Sequence, residues 1–440
     1  MKRNFLLLIL ISAINIGFTQ TTEFNGLNVY FNGLQANNKF MGSVAIYKAN
    51  KIVYSNQFGF KTIETKDVPD ENTKYRIGSI SKTFTAVLIF KAIEKGRLNL
   101  SETLDTYFPS IKNAKKITIS NLLNHRSGIP SFTDKKDAYL SFNTQFKAEK
   151  EMITMVSEYQ SDFEPDTQAS YSNSNYLLLS YILEKVFDKS FGQIVTDEIS
   201  KPLNLGNTYY AERLSAQNNE AYSFVIRKKR WKQETQTHGS IGLGAGSLVS
   251  TPVDLIQFSQ ALFKGKIISN ESLKKMKTIR DKFGMGLFQT NYFDSTSFGH
   301  NSGIDGFVSM FRYFPENDMA FAVTSNGLDY DFNAIETVVV KSMFNKPFDL
   351  PIFSSYEHSS KQLNTYLGTY SSPSFPVKLK VTKLKKRLIV NVASQEPMLF
   401  DAYEKNKFKL DAAGMVIEFF PDKNEMAITQ GSQTNVLQKE

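Results

Sequence analysis

The chain has 440 residues, 41% of them hydrophobic and 22% charged, the balance of a soluble globular protein long enough for two or three domains. It contains no cysteine, which excludes disulfides, a thiol nucleophile, cysteine–zinc sites and a lipid-modified cysteine. The net charge of +9 would suit a nucleic-acid binder. The one dense basic run, Arg227-Lys228-Lys229-Arg230-Trp231-Lys232, has no nucleic-acid motif beside it and reads as a solvated loop or hairpin.

The first residues read as a processing signal. Lys2 and Arg3 precede an almost wholly apolar run from Phe5 to Phe18, and Gly17-Phe18-Thr19 offers small residues before a cleavage point near Thr19-Gln20. The run is shorter than the roughly 20 residues that a bilayer span requires. Residues 1–19 are therefore expected to be removed, leaving no membrane anchor and a charge of about +7. The mature protein is expected in the periplasm or outside the cell.

Between Met41 and Gly59, two short strands, Gly42 to Tyr47 and Lys51 to Tyr54, flank a turn at Ala49-Asn50. A helix opens at Ser79 and runs to about Lys95, where Gly96 stops it. Residues 97–290 read mainly as helices and loops, with turn clusters at Arg126-Ser127-Gly128-Ile129-Pro130 and Gly242-Leu243-Gly244-Ala245-Gly246. One helix there starts at Thr251-Pro252 and reaches Phe263. Strands return at Phe307 to Phe314 and Met319 to Thr324, before a helix from Phe332 to Phe344. A sheet built from both ends of residues 24–346, with helices inserted between them, predicts an α/β architecture with a cleft between sheet and insertion. Pro347 to Ser360 breaks the pattern, and the short alternating strands of residues 360–440 predict a small separate β domain.

Three segments carry chemistry. Ser79-Ile80-Ser81-Lys82 puts a hydroxyl and an amine three residues apart, hence on one helix face. Serine is a weak nucleophile until a base takes its proton, and a desolvated lysine can serve, with the helix N-terminus favouring the negative charge that develops. The spacing is loose, for Ser272-Leu273-Lys274-Lys275 repeats it in a polar helix that reads as a capped surface element. Tyr171-Ser172-Asn173 precedes an apolar helix; its phenol can relay a proton and its amide can hold a substrate amide. The copy at Tyr54-Ser55-Asn56 falls in the predicted hairpin and reads as structural. In Phe298-Gly299-His300-Asn301-Ser302-Gly303, glycines let a substrate backbone approach a strand edge, and His300 can bind a substrate carboxylate or tune the lysine and tyrosine.

In this order the three segments resemble the serine β-lactamase and penicillin-binding protein superfamily, whose signatures include Ser-x-x-Lys and Lys-Thr-Gly. The likeness is to the branch holding class C β-lactamases, DD-peptidases, D-aminopeptidases and related esterases. Leu122-Leu123-Asn124-His125-Arg126-Ser127-Gly128-Ile129-Pro130 and the stretch from Gly244 to Leu255 add to it, and it spans roughly residues 24–345. The resemblance implies a β-lactamase/DD-peptidase-like fold, an antiparallel sheet flanked by helices plus a helical subdomain. It implies Ser79 as the acylated nucleophile, Lys82 as its proton acceptor or activator and Tyr171 as general acid or base. Asn173 and His300 would bind substrate, and the oxyanion would sit between the N–H groups of Ser79 and Gly303. Which of Lys82 and Tyr171 takes the first proton stays open, and His125 is read as packing its loop.

The implied substrate is a small peptide-like amide or ester, in first place a D-amino-acid or peptidoglycan-type peptide; a carboxylesterase and a β-lactamase are the alternatives. Peptidoglycan and β-lactams are the candidate partners, and no metal, cofactor or nucleic acid is expected. Two departures stand out. His300-Asn301-Ser302 replaces Lys-Thr-Gly, which is similar to the peptidase and esterase members and points away from an efficient β-lactamase. Ser302 also stands where the pattern has glycine. The C-terminal β domain resembles lipocalin-like appendages that add stability or cover the cleft. An α/β-hydrolase is argued against by the lack of Gly-x-Ser-x-Gly, and a zinc hydrolase by four scattered histidines, His125, His238, His300 and His358. A non-catalytic penicillin-binding or wall-sensing protein is the alternative of another class.

Overall fold

The computed structural model describes residues 24–353, 355–393 and 395–440; the expected leader and its cleavage point lie outside them. The core is an antiparallel sheet in the order Lys51–Phe58, Phe40–Lys48, Met319–Leu328, Phe307–Phe314, Ser295–Ile304, Phe288–Tyr292. The first hairpin thus lies directly against the last strands of the region, with Val44 opposite Val323 and Val323 opposite Met310. Ala49 and Asn50 adopt φ of 52° and 63°, the left-handed pair that a two-residue hairpin turn needs to match strand twist.

Alternation along Phe40–Lys48 sets the layers. Val44 and Ile46 share a core with Leu27, Phe31 and Leu34 of helix Asn25–Ala36 and with Ile335 and Val339 of helix Phe332–Met343. Ala45 and Tyr47 belong to the larger core on the other face, with Leu255 and Phe258 of helix Pro252–Phe263. Helix Ser81–Glu94 runs through that core, and every residue from Ser81 to Phe90 is at most 1% exposed. Its apolar surface all round is what an enclosed helix requires. Phe84 stacks on Phe258 with ring centroids 3.7 Å apart. Each such buried side chain contributes roughly 1.5–3 kcal/mol, so the helix that bears Lys82 is rigidly held.

The helical insertion also contains a three-stranded sheet of Tyr75–Arg76, Leu248–Ser250 and Tyr209–Tyr210, strands too short to show an alternating pattern in sequence. The basic run forms a hairpin, Phe224–Arg227 with Arg230–Gln233, turning at Lys228 and Lys229. Beyond residue 360 the chain forms a closed eight-stranded antiparallel barrel from Gly368–Ser372 to Gln433–Lys439, sealed where Tyr370 pairs with Lys439. Lys39 joins the two parts, 2.8 Å from Asp329, just past strand Met319–Leu328, and 2.9 Å from Asp411 in a turn of the barrel domain. Among the described residues no helix is long and apolar enough to cross a membrane.

Candidate active site

Ser79 lies two residues before the helix that the sequence has it open. It sits in a 3₁₀ turn, Gly78–Ile80, that leads into Ser81–Glu94. Gly78 has φ 46°, and a Cβ there would run into Ser302 Oγ, so both conformation and space require glycine. The turn faces strand Ser295–Ile304 beyond Gly299, where pairing with Phe288–Tyr292 ends and one strand edge is left open.

Lys82 is wholly buried, and its Nζ lies 3.0 Å from Ser79 Oγ, 2.8 Å from Asn173 Oδ1 and 2.7 Å from the Ala245 carbonyl. Burial pushes its ammonium well below the usual lysine range, with no carboxylate acting against it. A neutral amine has two N–H donors and one lone pair. Nζ donates to all three oxygens as an ammonium; once it is neutral, Asn173 Oδ1 and the Ala245 carbonyl take its two donors and the lone pair faces the Ser79 hydroxyl. Asn173 opens helix Asn173–Phe187, and its orientation is fixed from behind. Its Nδ2 donates to Thr133 Oγ1 at 2.9 Å and its backbone N–H donates to Ser131 Oγ at 3.1 Å.

Burial pushes the Tyr171 phenol pKa up, and its interaction with the neighbouring Ser79 acts the other way. Lys82 Nζ stands 4.9 Å from the centre of its ring. On the other side His125 packs at 4.5 Å between centroids. His125 Nδ1 accepts the Ser172 N–H at 3.1 Å, and burial, then Lys82 and His300, hold the ring neutral. The histidine does pack its loop, and in doing so it braces Tyr171.

His300 does not line the cavity in front of Ser79. It is 2% exposed, donates from Nδ1 to the Asn301 carbonyl at 2.6 Å, and stands 6.4 Å from the Tyr171 ring and 4.6 Å from Phe288. Burial, then the nearby Lys82, lowers its pKa to about 3. Two roles are expected of it from sequence, binding a substrate carboxylate and tuning Lys82 and Tyr171; the ring is placed beside Tyr171 and outside the cavity lining.

Ser79, Asn173 and Gly303 line a cavity of about 290 Å³ together with Phe132, Tyr139 and Asp305. Gly303 is exposed, with open space where a Cβ would stand. Asp305 accepts the Thr237 N–H and hydroxyl, each at 2.7 Å, and burial raises its carboxyl pKa. Among the described residues, no lysine, arginine or barrel residue lines this cavity.

Several members of the site carry no readable signature. The Ala245 carbonyl is backbone, and only the surrounding glycines hint at it: a Cβ on Gly244 would collide with the Thr85 and Ser180 hydroxyls. Ser131, Thr133 and Asp305 are ordinary polar residues in sequence. The two copied patterns lie elsewhere. Ser272 donates to Glu94 at 2.5 Å on a surface helix, and Tyr54 donates to Asn28 at 2.9 Å.

The Beta-lactamase family model matches residues 32–340, more than two thirds of the chain. Penicillin-binding protein 4* of Bacillus subtilis (strain 168) is 27% identical over 425 residues, covering 89% of this chain and 93% of that protein. Among solved structures, the octameric penicillin-binding protein homologue from Pyrococcus abyssi aligns with a TM-score of 0.67 at 22% identity, covering 94% of this chain and 99% of that one. The D-amino acid amidase from Ochrobactrum anthropi SV3 aligns at 0.64 and 23%, covering 72% and 99%. Sequence match and fold agree on one assignment: the chain belongs to the Beta-lactamase family, within the serine β-lactamase and penicillin-binding protein superfamily.

Proposed function

We propose that the protein is a serine hydrolase that cleaves a small amide through an acyl-enzyme on Ser79. The observation that carries this is the buried Lys82 amine, 3.0 Å from Ser79 Oγ and held by two acceptors that leave its lone pair free. Burial moves the two candidate bases in opposite senses. It favours neutral lysine, which accepts a proton, and neutral tyrosine, which donates one. Lys82 therefore takes the Ser79 proton as Oγ bonds to the substrate carbonyl carbon, and the Ser79 and Gly303 N–H groups hold the oxyanion. Tyr171 protonates the leaving nitrogen as the carbon–nitrogen bond breaks, and is reprotonated from Lys82. Water then attacks the ester, releasing the acid and restoring the Ser79 hydroxyl.

The wall of the cavity supports a substrate class. It presents one carboxylate, Asp305, and no cation, so a free ammonium has a partner there and a carboxylate has none. This favours amides of amino acids with a free amino group over peptides that end in a carboxylate beside the scissile bond, and the likeness to the D-amino acid amidase supports the D configuration. An esterase is the second reading, supported by the same Ser79–Lys82 pair. The apolar leader supports action outside the cytoplasm. The test is kcat/KM for D-phenylalanine p-nitroanilide, its L enantiomer, its N-acetyl form and p-nitrophenyl acetate, on the wild type and Ser79→Ala. Preference for the free D amide, lost with Ser79→Ala, is expected. Activity kept by Ser79→Ala would sink the assignment, and turnover of the ester alone would favour the esterase.

A further inference from the structure

The sequence departs from its family at Ser302, and the structure gives that departure a location. Ser302 Oγ accepts the backbone N–H of Ser79 at 2.9 Å. The side chain is 8% exposed and fills the space beside Gly78, where a Cβ on the glycine could not fit. In the acylation step described above, that same N–H is half of the oxyanion pair. A reacting carbonyl oxygen must come within about 3 Å of it. One N–H cannot serve two oxygens at full strength, so the resting site carries its own competing ligand.

Resting on that reading of Ser79, we propose that the Ser302 hydroxyl is an internal competitor for the oxyanion site, displaced only when substrate binding opens it. The displacement is a rotation of one side chain between staggered positions. Its cost is the loss of one buried hydrogen bond. A substrate that fills the cavity beside Asn173 and Asp305 supplies that from contacts remote from the carbonyl. A small activated ester, which touches little beyond Ser79, has no such source. Ser302 is thus a specificity-determining residue: it holds down reaction with small esters and spares substrates that fill the cavity. Gly303, the other donor, has open space above it and is unblocked.

The test compares wild type, Ser302→Ala, Ser302→Thr and Ser79→Ala in the full chain. Burst rates are measured with p-nitrophenyl acetate, and kcat/KM with D-phenylalanine p-nitroanilide. Ser302→Ala is expected to acylate the small ester about 3- to 10-fold faster, the range of one lost hydrogen bond, with a smaller change for the amide. Ser302→Thr keeps the hydroxyl and should stay near wild type. Ser302→Gly, the residue of the family pattern, serves if alanine disturbs the turn. An unchanged or slower ester burst in both Ser302→Ala and Ser302→Gly, with Ser79→Ala inert, overturns the competitor role alone. A burst that survives in Ser79→Ala overturns the nucleophile assignment, and the competitor role with it.

Discussion

Replacing Lys82 with methionine probes the site where burial and hydrogen bonding make the strongest demand. The perturbation keeps the length of the side chain and removes the amine. Two acceptors are left behind, Asn173 Oδ1 and the Ala245 carbonyl, which now lie 2.8 and 2.7 Å from Nζ. Each unpaired buried acceptor costs about 1–3 kcal/mol, offset by removal of an amine that is itself costly to bury. Stability should therefore change little, whereas acylation loses its base, a loss of about 10²- to 10⁴-fold. The assay is stopped-flow acylation by a chromogenic ester, with a thermal melt of the same sample. The wild type should also show an acid limb, because the active amine is unprotonated. Activity falls as pH drops through the Lys82 pKa, which burial places well below the usual lysine range. That limb should vanish in Lys82→Met. Acylation within tenfold of wild type, or an unaltered acid limb, refutes the base assignment.

Asp305→Asn should lower kcat/KM for free-amine D-amides by at least about tenfold while sparing N-acetylated ones, since only the former meet its charge; equal losses on both would remove its recognition role. His300 should make the protein acid-labile. Its native pKa of about 3 lies below the ordinary histidine value, so its contribution is complete above about pH 6.5 and is lost as pH falls toward 3. By pH 4 the loss is about 3 kcal/mol, and urea midpoints at pH 7 and pH 4 should differ less in His300→Asn than in wild type; parallel shifts would contradict this. Asp411→Asn removes one of the two carboxylates around Lys39 and should destabilise the junction by about 1 kcal/mol without altering substrate preference, because no described residue of the barrel lines the cavity. A changed substrate profile would revive a covering role for the barrel.

The elements legible in sequence are those whose local chemistry is self-contained. The hairpin at Ala49-Asn50, the helix after Thr251-Pro252 and the apolar helix with Lys82 each carry their own turn, cap or pattern. The three candidate segments stand out in sequence because the nucleophile, base and proton relay proposed for them require particular side chains at short spacing. What escaped depends on contacts across the fold. Ser79 falls in the turn before the helix because Gly78 must pass beneath Ser302, more than 200 residues away in sequence. His300 carries the chemistry to bind a carboxylate, yet packing of Phe288 and Tyr171 encloses it. The Ala245 carbonyl has no side-chain signal at all. The short strands Tyr75–Arg76, Leu248–Ser250 and Tyr209–Tyr210 exist only through their pairing, with Leu248–Ser250 between the other two.

The most direct test of the central claim is acid-quenched intact mass after brief mixing with p-nitrophenyl acetate, followed by peptide mapping. A single added acetyl group is expected, on the peptide containing Ser79, absent from Ser79→Ala and slow to form in Lys82→Met. An acetyl group on another residue, or an undiminished adduct in Ser79→Ala, would contradict it.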